Sequence, residues 1–327
     1  MRVTKVRTRA GTEGHGARVE GVDLKRLSPG EADQIATLIN EHQVLVFPAQ
    51  ALTPDEQVAF SSHFGAVGEH PMGHRLSDTN PDEQLVMTVG TEARNDIWHA
   101  DVTFMPNPWQ YSCLHALTAV EGADTSFADM FGAWDTLSDG MKEMLTNMRA
   151  IHTGKGLVGP VKPFVKAAEA GPKDKTPHTW HNEDHRTGEE LTPKKVDVES
   201  FRTPVSDLGL EVSHPCVCNH PVTGRPALYV NRGFTIRFDD WTRDESRDLL
   251  NYLVDHATTD ELVYQHQWEP GDVVMWDNRS CMHFASQEFD HSQPRILHRT
   301  TSHGFAPPGE LGAQNVSRGP EQFAARL

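Results

Sequence analysis

Residues 269–301 read EPGDVVMWDNRSCMHFASQEFDHSQPRILHRTT. A Pro270-Gly271-Asp272 turn opens the apolar run Val273-Val274-Met275-Trp276, short enough for a buried strand bounded by turn residues. Asp277-Asn278-Arg279 and His283 follow, then a second strand, Arg295-Ile296-Leu297-His298-Arg299. Period-two alternation sets Arg295, Leu297 and Arg299 on one face of it. A core-facing strand holds two guanidiniums only where something anionic meets them, because unpaired buried charge is expensive. The stretch reads as half of a site: one imidazole and an anion clamp.

The remaining chain supplies short strand-like runs at 3–8, 44–47, 85–89, 111–119, 126–130, 212–215, 227–230 and 262–268. Helix starts are marked by Ser28-Pro29 and by capping boxes at Thr53-Pro54-Asp55-Glu56 and Thr242 to Glu245. A further helix from Ser138 or Asp139 places Met141, Met144, Leu145 and Met148 on one face, most simply a core face. Many short strands with helices before or beside them predict a mainly β sandwich or barrel with flanking helices. No glycine-rich phosphate loop follows a strand, which removes the Rossmann and P-loop readings. Both periods dissolve over 155–206, where Gly, Pro, Lys, Glu and His dominate, and a lid or binding insert is expected there. A poorly ordered tail is expected at 305–327, and otherwise one domain spans 1–327.

Length and composition set bounds. The 327 residues, 37% hydrophobic and 23% charged, suit a soluble globular chain with a real core. A net charge of −16 argues against nucleic acid or an anionic membrane as partner, while leaving room for a small anion held by local positive charge. No apolar segment resembles a leader or a membrane span, and a cytoplasmic protein is expected. Of the four cysteines, only Cys216 and Cys218 are close-spaced, and they read as two small core residues rather than a zinc site.

The other half of the site is sought at His99-Ala100-Asp101. At period two, residues 99 and 101 point the same way, so an imidazole and a carboxylate converge on one ion. A distant histidine added to them gives two histidines and a carboxylate on one face of an octahedral metal, with three positions open. Alone, H-x-D is weak, and His181-Asn182-Glu183, with His185 one helical turn from His181, is a competitor. The combination is stronger: Trp98 and Phe104 flank His99 and Asp101, and residues 269–301 supply His283 and Arg295.

The segments NDIWHADVTF (95–104), GADTSFADM (122–130), HPVTGRPALYVNRGFT (220–235), GDVVMWDNRSCMHFA (271–285) and RILHRTT (295–301) resemble the taurine dioxygenase / 2,4-dichlorophenoxyacetate dioxygenase (TauD/TfdA-like) family of Fe(II)/2-oxoglutarate-dependent oxygenases. The N-terminal VLVFPAQALTPDEQVAFSSHFG also fits. The resemblance covers most of the chain outside the insert and tail, and the run WDNR-x3-H-x11-R is highly specific. It implies a double-stranded β-helix (jelly-roll, cupin-like) core. It further implies that His99, Asp101 and His283 ligate Fe(II), and that Arg295 with Thr125 holds the distal carboxylate of 2-oxoglutarate, with O2 as second cosubstrate. Arg299 is expected near the metal, on the cosubstrate's other carboxylate or on an anionic substrate, with a structural ion pair as the alternative. His70, Asn95, Val102, Phe234 and Arg299 match substrate-pocket positions.

The implied reaction is hydroxylation of an unactivated C–H bond, with succinate and carbon dioxide as co-products. Halogenating relatives have a small residue in place of the carboxylate, so Asp101 favours hydroxylation over chlorination. Desaturation, cyclisation or another oxidative rearrangement in a biosynthetic pathway is the alternative outcome. A non-catalytic jelly-roll binding protein is the rival from another class, opposed by the intact triad and both arginines. The substrate is expected to be a small anion: a sulfonate, a sulfate, an aryloxy acid or an intermediate of specialised metabolism. Gly73, where taurine enzymes carry an aromatic residue, and the long insert put taurine itself in doubt; His178, His181, His185, Lys173 and Lys175 are candidates to reach a larger substrate. A homo-oligomer, dimer or tetramer, is the expected assembly.

Overall fold

The run Val273–Asp277 is a strand buried on both sides, and the alternation of its side chains builds two cores at once. Val274 and Trp276 point into one apolar cluster, Val273 and Met275 into another. The computed structural model describes residues 1–69, 85–91, 96–154 and 211–303. His70, Asn95, the insert at 155–206, its histidines and lysines, and the tail at 305–327 lie outside the described residues.

In chain order the strands are β1 (Arg2–Arg7), β2 (Glu13–Glu20), β3 (Val44–Phe47), β4 (Met87–Val89), β5 (Tyr111–Thr118), β6 (Thr125–Asp129), β7 (Arg149–Thr153) and β8 (Glu211–Pro215). They continue as β9 (Val217–Asn219), β10 (Pro226–Leu228), β11 (Thr235–Phe238), β12 (Val263–His266), β13 (Val273–Asp277), β14 (Cys281–Ala285) and β15 (Ile296–Thr301). The helices are α1 (Pro29–His42), α2 (Pro54–Ser62), α3 (Met130–Asp135), α4 (Asp139–Thr146) and α5 (Arg243–Ala257). Ser28, Thr53 and Thr242 each close a reciprocal capping box, satisfying helix N-terminal donors as the sequence pattern requires.

The larger sheet runs β1-β2-β3-β13-β5-β15-β4, antiparallel throughout except for β2 beside β3. A smaller sheet, β12-β6-β14, faces it. Between them lie Val44, Val46, Leu114, Ala116, Phe127, Tyr264, Val274, Trp276 and Leu297, the interior of a jelly roll. The outer face of the larger sheet buries Leu45, Phe47, Val273 and Met275 against Ile35 and Ile39 of α1 and Phe60 of α2. A third core packs α3 and α5 over β6, β14 and the β9–β10 ribbon. Cys216 and Cys218 are core residues, and all four cysteines are buried and unpaired.

The structure departs from the sequence reading at two places. On α4 only Leu145 is fully buried; Met141 is partly buried and Met144 is 39% exposed, while Met148, also partly buried, lies beyond the end of the helix. The helix is short and lies at the edge of the third core, so its apolar stripe is wider than the surface it can cover. The segment around His99 is not a strand: His99 makes a single bridge to His283, and a turn begins at Asp101. Among the described residues no helix is long and apolar enough to cross a membrane.

Candidate active site

His283 stands in the middle of β14, opposite Phe127 of β6. Its ring lies 4.8 Å from that of Trp276 and 6.3 Å from that of Phe127, so aromatic packing fixes its direction. His99 reaches the same place from outside the ladder. The two histidines exchange both backbone hydrogen bonds, His99 N–H to His283 O at 3.0 Å and the reverse at 2.7 Å. Their rings come within 4.1 Å of each other. That approach depends on Gly233, because a Cβ there would meet the His99 Cβ at 2.8 Å.

Nδ1 of His99 lies 2.7 Å from the Ile97 carbonyl, which only accepts, so Nδ1 carries the proton and Nε2 is the free ligand atom. Asp101 Oδ1 is 3.7 Å from Nε2 of His99 and 3.7 Å from Nε2 of His283. One ligand atom from each of the three residues lies within 4.8 Å of the others. Burial pushes both imidazoles below their ordinary pKa, His283 well below, and the neighbouring His99 adds to the effect there. Burial is the largest single influence and works against the Asp101 charge, but the Arg299 guanidinium and, behind it, the two histidines together outweigh it and hold the carboxyl below the usual range. Neutral imidazoles beside an ionised carboxylate are the donor set a divalent transition ion takes, and these residues fit Fe(II).

Arg299 is ion-paired with Asp101 Oδ2, the alternative the sequence left open. Ser112 donates to that same oxygen at 2.7 Å, and Asn278 accepts the Asp101 backbone N–H at 3.2 Å. Sequence reasoning missed Ser112 altogether, since nothing marks one serine in a strand. Asn278 lay in the quoted WDNR motif without a role.

Arg295 is 5% exposed and has no ion pair or side-chain hydrogen bond among the described residues. Burial alone pushes its guanidinium down to about 10. Thr125 faces the same side of the small sheet as Phe127 and His283, and its oxygen accepts the Trp268 indole N–H at 2.9 Å. Val102, Phe104, Trp109 and Phe234 form a separate buried apolar cluster, whose Phe234 ring is 6.0 Å from that of His99. Val102 adopts φ +49°, a region a β-branched residue enters only when its surroundings force it. A cleft of about 570 Å³ between α1 and residues 222–225 contains none of these groups.

The profile of the taurine catabolism dioxygenase TauD, TfdA family matches residues 6–301. An alkylsulfatase of Acinetobacter baylyi is 30% identical over 313 residues, covering 95% of this chain and 89% of its own. An alpha-ketoglutarate-dependent 2,4-dichlorophenoxyacetate dioxygenase of Cupriavidus pinatubonensis is 29% identical over 308 residues, covering 88% and 93%. The crystal structure of a taurine dioxygenase from Burkholderia xenovorans superposes with a TM-score of 0.70 at 29% identity, covering 97% of this chain and 99% of that one.

Proposed function

The chain belongs to the TauD, TfdA family and is an Fe(II)- and 2-oxoglutarate-dependent dioxygenase; we propose that it hydroxylates an unactivated C–H bond of a small anion with an apolar body. The reading assigns His99, Asp101 and His283 to the metal. The observation that carries it is the convergence of their ligand atoms within 4.8 Å. Bound Fe(II) and 2-oxoglutarate, with O2, supply the oxidising power for hydroxylation and release succinate and carbon dioxide.

The chain's own residues prepare that chemistry. Asp101 is ionised and both imidazoles are neutral at neutral pH, so the metal displaces no proton on arrival. Arg295, buried and without an anionic partner among the described residues, is assigned the distal carboxylate of 2-oxoglutarate through a two-point guanidinium contact. Thr125 spends its oxygen on Trp268, which leaves its hydroxyl proton for the same carboxylate. Arg299 is assigned to the second anion, the near carboxylate of the cosubstrate or the head of the substrate. Val102 and Phe234 are assigned to the apolar wall of the substrate pocket, and His70 and Asn95 to its polar side.

Relatives named for aryloxy acids, sulfate esters and sulfonates support an anionic substrate. Hydroxylation of a carbon bonded to an ether or sulfate oxygen or to sulfonate gives an adduct that collapses to a carbonyl and frees that group. The proposed setting is the cytoplasm, in keeping with four unpaired cysteines, and the proposed assembly is a homo-oligomer, measurable by light scattering.

The test is succinate formation with Fe(II), 2-oxoglutarate and O2 across a panel of alkyl sulfates, sulfonates and aryloxy acids. Substrate-dependent succinate, lost in His99→Ala, is expected. Normal Fe(II) binding with no succinate across the panel sinks the substrate class. Failure to bind Fe(II) sinks the ligand assignment.

A further inference from the structure

The two oxygens of Asp101 are not equivalent, and the cause can be traced to a closed set of hydrogen bonds. Asn278 Oδ1 receives the Asp101 backbone N–H at 3.2 Å and the Trp276 indole N–H at 3.0 Å. Both groups only donate, so the orientation of the amide is fixed. Its Nδ2 therefore faces Ser112 and donates to Oγ at 3.0 Å. Arg299 Nη2 donates to the same Oγ at 3.3 Å. With two donors on its oxygen, the Ser112 hydroxyl directs its one proton to Asp101 Oδ2, 2.7 Å away. Ser112 and Asn278 are at most 1% exposed, so water does not compete for these bonds. Oδ2 is thus held from behind, while Oδ1 faces Nε2 of both histidines at 3.7 Å.

We propose that Ser112 and Asn278 are positioning residues that keep Asp101 a one-oxygen metal ligand and so keep room at the metal for both cosubstrates. The proposal rests on the assignment of His99, Asp101 and His283 as ligands. Carboxylates bind metals through one oxygen or two. Two imidazoles and a one-oxygen carboxylate leave three positions on an octahedral ion. A two-atom chelate by 2-oxoglutarate would need two of them, and the third would have to stay open for O2. A carboxylate that turned its second oxygen inward would close one. Arg299 also holds Oδ2, but it is a cation that any arriving anion attracts; the uncharged Ser112 hydroxyl is not drawn away.

Ser112→Ala and Ser112→Cys separate this role from ordinary support, the cysteine keeping the shape and a weaker donor. Each is titrated anaerobically with Fe(II) and then with 2-oxoglutarate, read by the visible charge-transfer absorption of the chelate. Co(II) ligand-field spectra report coordination without turnover. The expected result is that Ser112→Ala binds metal no more weakly than the parent. Its metal-loaded form binds 2-oxoglutarate about tenfold or more weakly, with an altered Co(II) spectrum, and Ser112→Cys recovers part of the loss.

Metal affinity reduced about 10–100-fold with unchanged 2-oxoglutarate binding would mark a plain orienting contact and overturn the proposal. Unchanged binding of both would overturn it as well. A parent that binds no Fe(II) takes the ligand assignment down too, whereas a normal parent band with an unaltered variant removes this proposal alone.

Discussion

The two ligand-bearing segments are held in opposite ways. His283 sits inside β14, where the ladder to β6 fixes the backbone and apolar neighbours fix the ring. His99 and Asp101 sit on irregular chain that isolated backbone and side-chain hydrogen bonds tie down one at a time. The Trp98 carbonyl takes the N–H groups of Arg232 and Gly233, both at 3.1 Å. Thr103 Oγ1 meets His152 Nδ1 and Asn231 Nδ2, each at 3.0 Å. The Met105 carbonyl meets His214 Nε2 at 3.0 Å. A ladder spreads its energy over many equivalent bonds, whereas the irregular half concentrates it in a few named groups. Single substitutions should therefore act mainly there.

The largest effect is expected at Asp101. Asp101→Ala abolishes Fe(II) binding and succinate formation, and it strands Arg299, 5% exposed, without its carboxylate. Breaking a buried pair by removing one partner costs about 3–5 kcal/mol, so the metal-free variant should melt well below the parent. The double variant Asp101→Ala/Arg299→Met should recover much of that stability and none of the activity. Equal melting of the single and double variants would show that the pair contributes nothing to the metal-free fold.

Acid should loosen the irregular half next. Burial, ahead of every other influence, depresses His214 to about 4 from an ordinary 6.5. The unfolded chain therefore binds the proton first as pH falls. The stability from a neutral His214 is complete above pH 6.5 and is lost between 6.5 and 4, on the order of 3 kcal/mol in all. Melting temperatures from pH 7.5 to 4.5 should fall less steeply in His214→Phe than in the parent. Parallel profiles would remove His214 as an acid-sensitive anchor of Met105.

The same contrast decides how much the sequence could reveal. β13 and β15 were legible because period-two patterning and turn residues act locally, whereas the strand that carries His283 was not read from the sequence. The convergence of His99 and Asp101 was legible too, though the strand proposed for it was not formed. Residues i and i+2 can share a direction in a turn as well as in a strand. The Ser112 and Asn278 contacts join positions separated by 166 residues, and no local pattern encodes them. Arg299 showed the need for an anion but could not say that Asp101 would be the one. Met144 was misplaced because a helical stripe states which face is apolar, not how much core is present to cover it.

Metal should add its stability unevenly. Fe(II) or Mn(II) at about 100 times its dissociation constant raises stability by about 2.7 kcal/mol. Amides of β14 are already laddered, so hydrogen-exchange protection should be gained mainly over 98–105. Equal gains in both segments would break the contrast between them.

The smallest effect expected is the most local, at Gly233. No positive φ is needed there, so any residue suits the backbone angle and the demand is for space alone. A methyl group would lie 2.8 Å from the His99 Cβ. His99 cannot retreat, because its backbone is bonded in both directions to His283 on β14. Overpacking of this kind costs about 1–3 kcal/mol, and the strain falls on the ring that points Nε2 at Asp101. Gly233→Ala should lower the melting temperature modestly and weaken Fe(II) binding, while near-ultraviolet circular dichroism of the jelly-roll core stays unchanged. If Gly233→Ala binds Fe(II) as the parent does, the segment bearing His99 is more compliant than its hydrogen bonds imply, and the site is positioned by β14 alone.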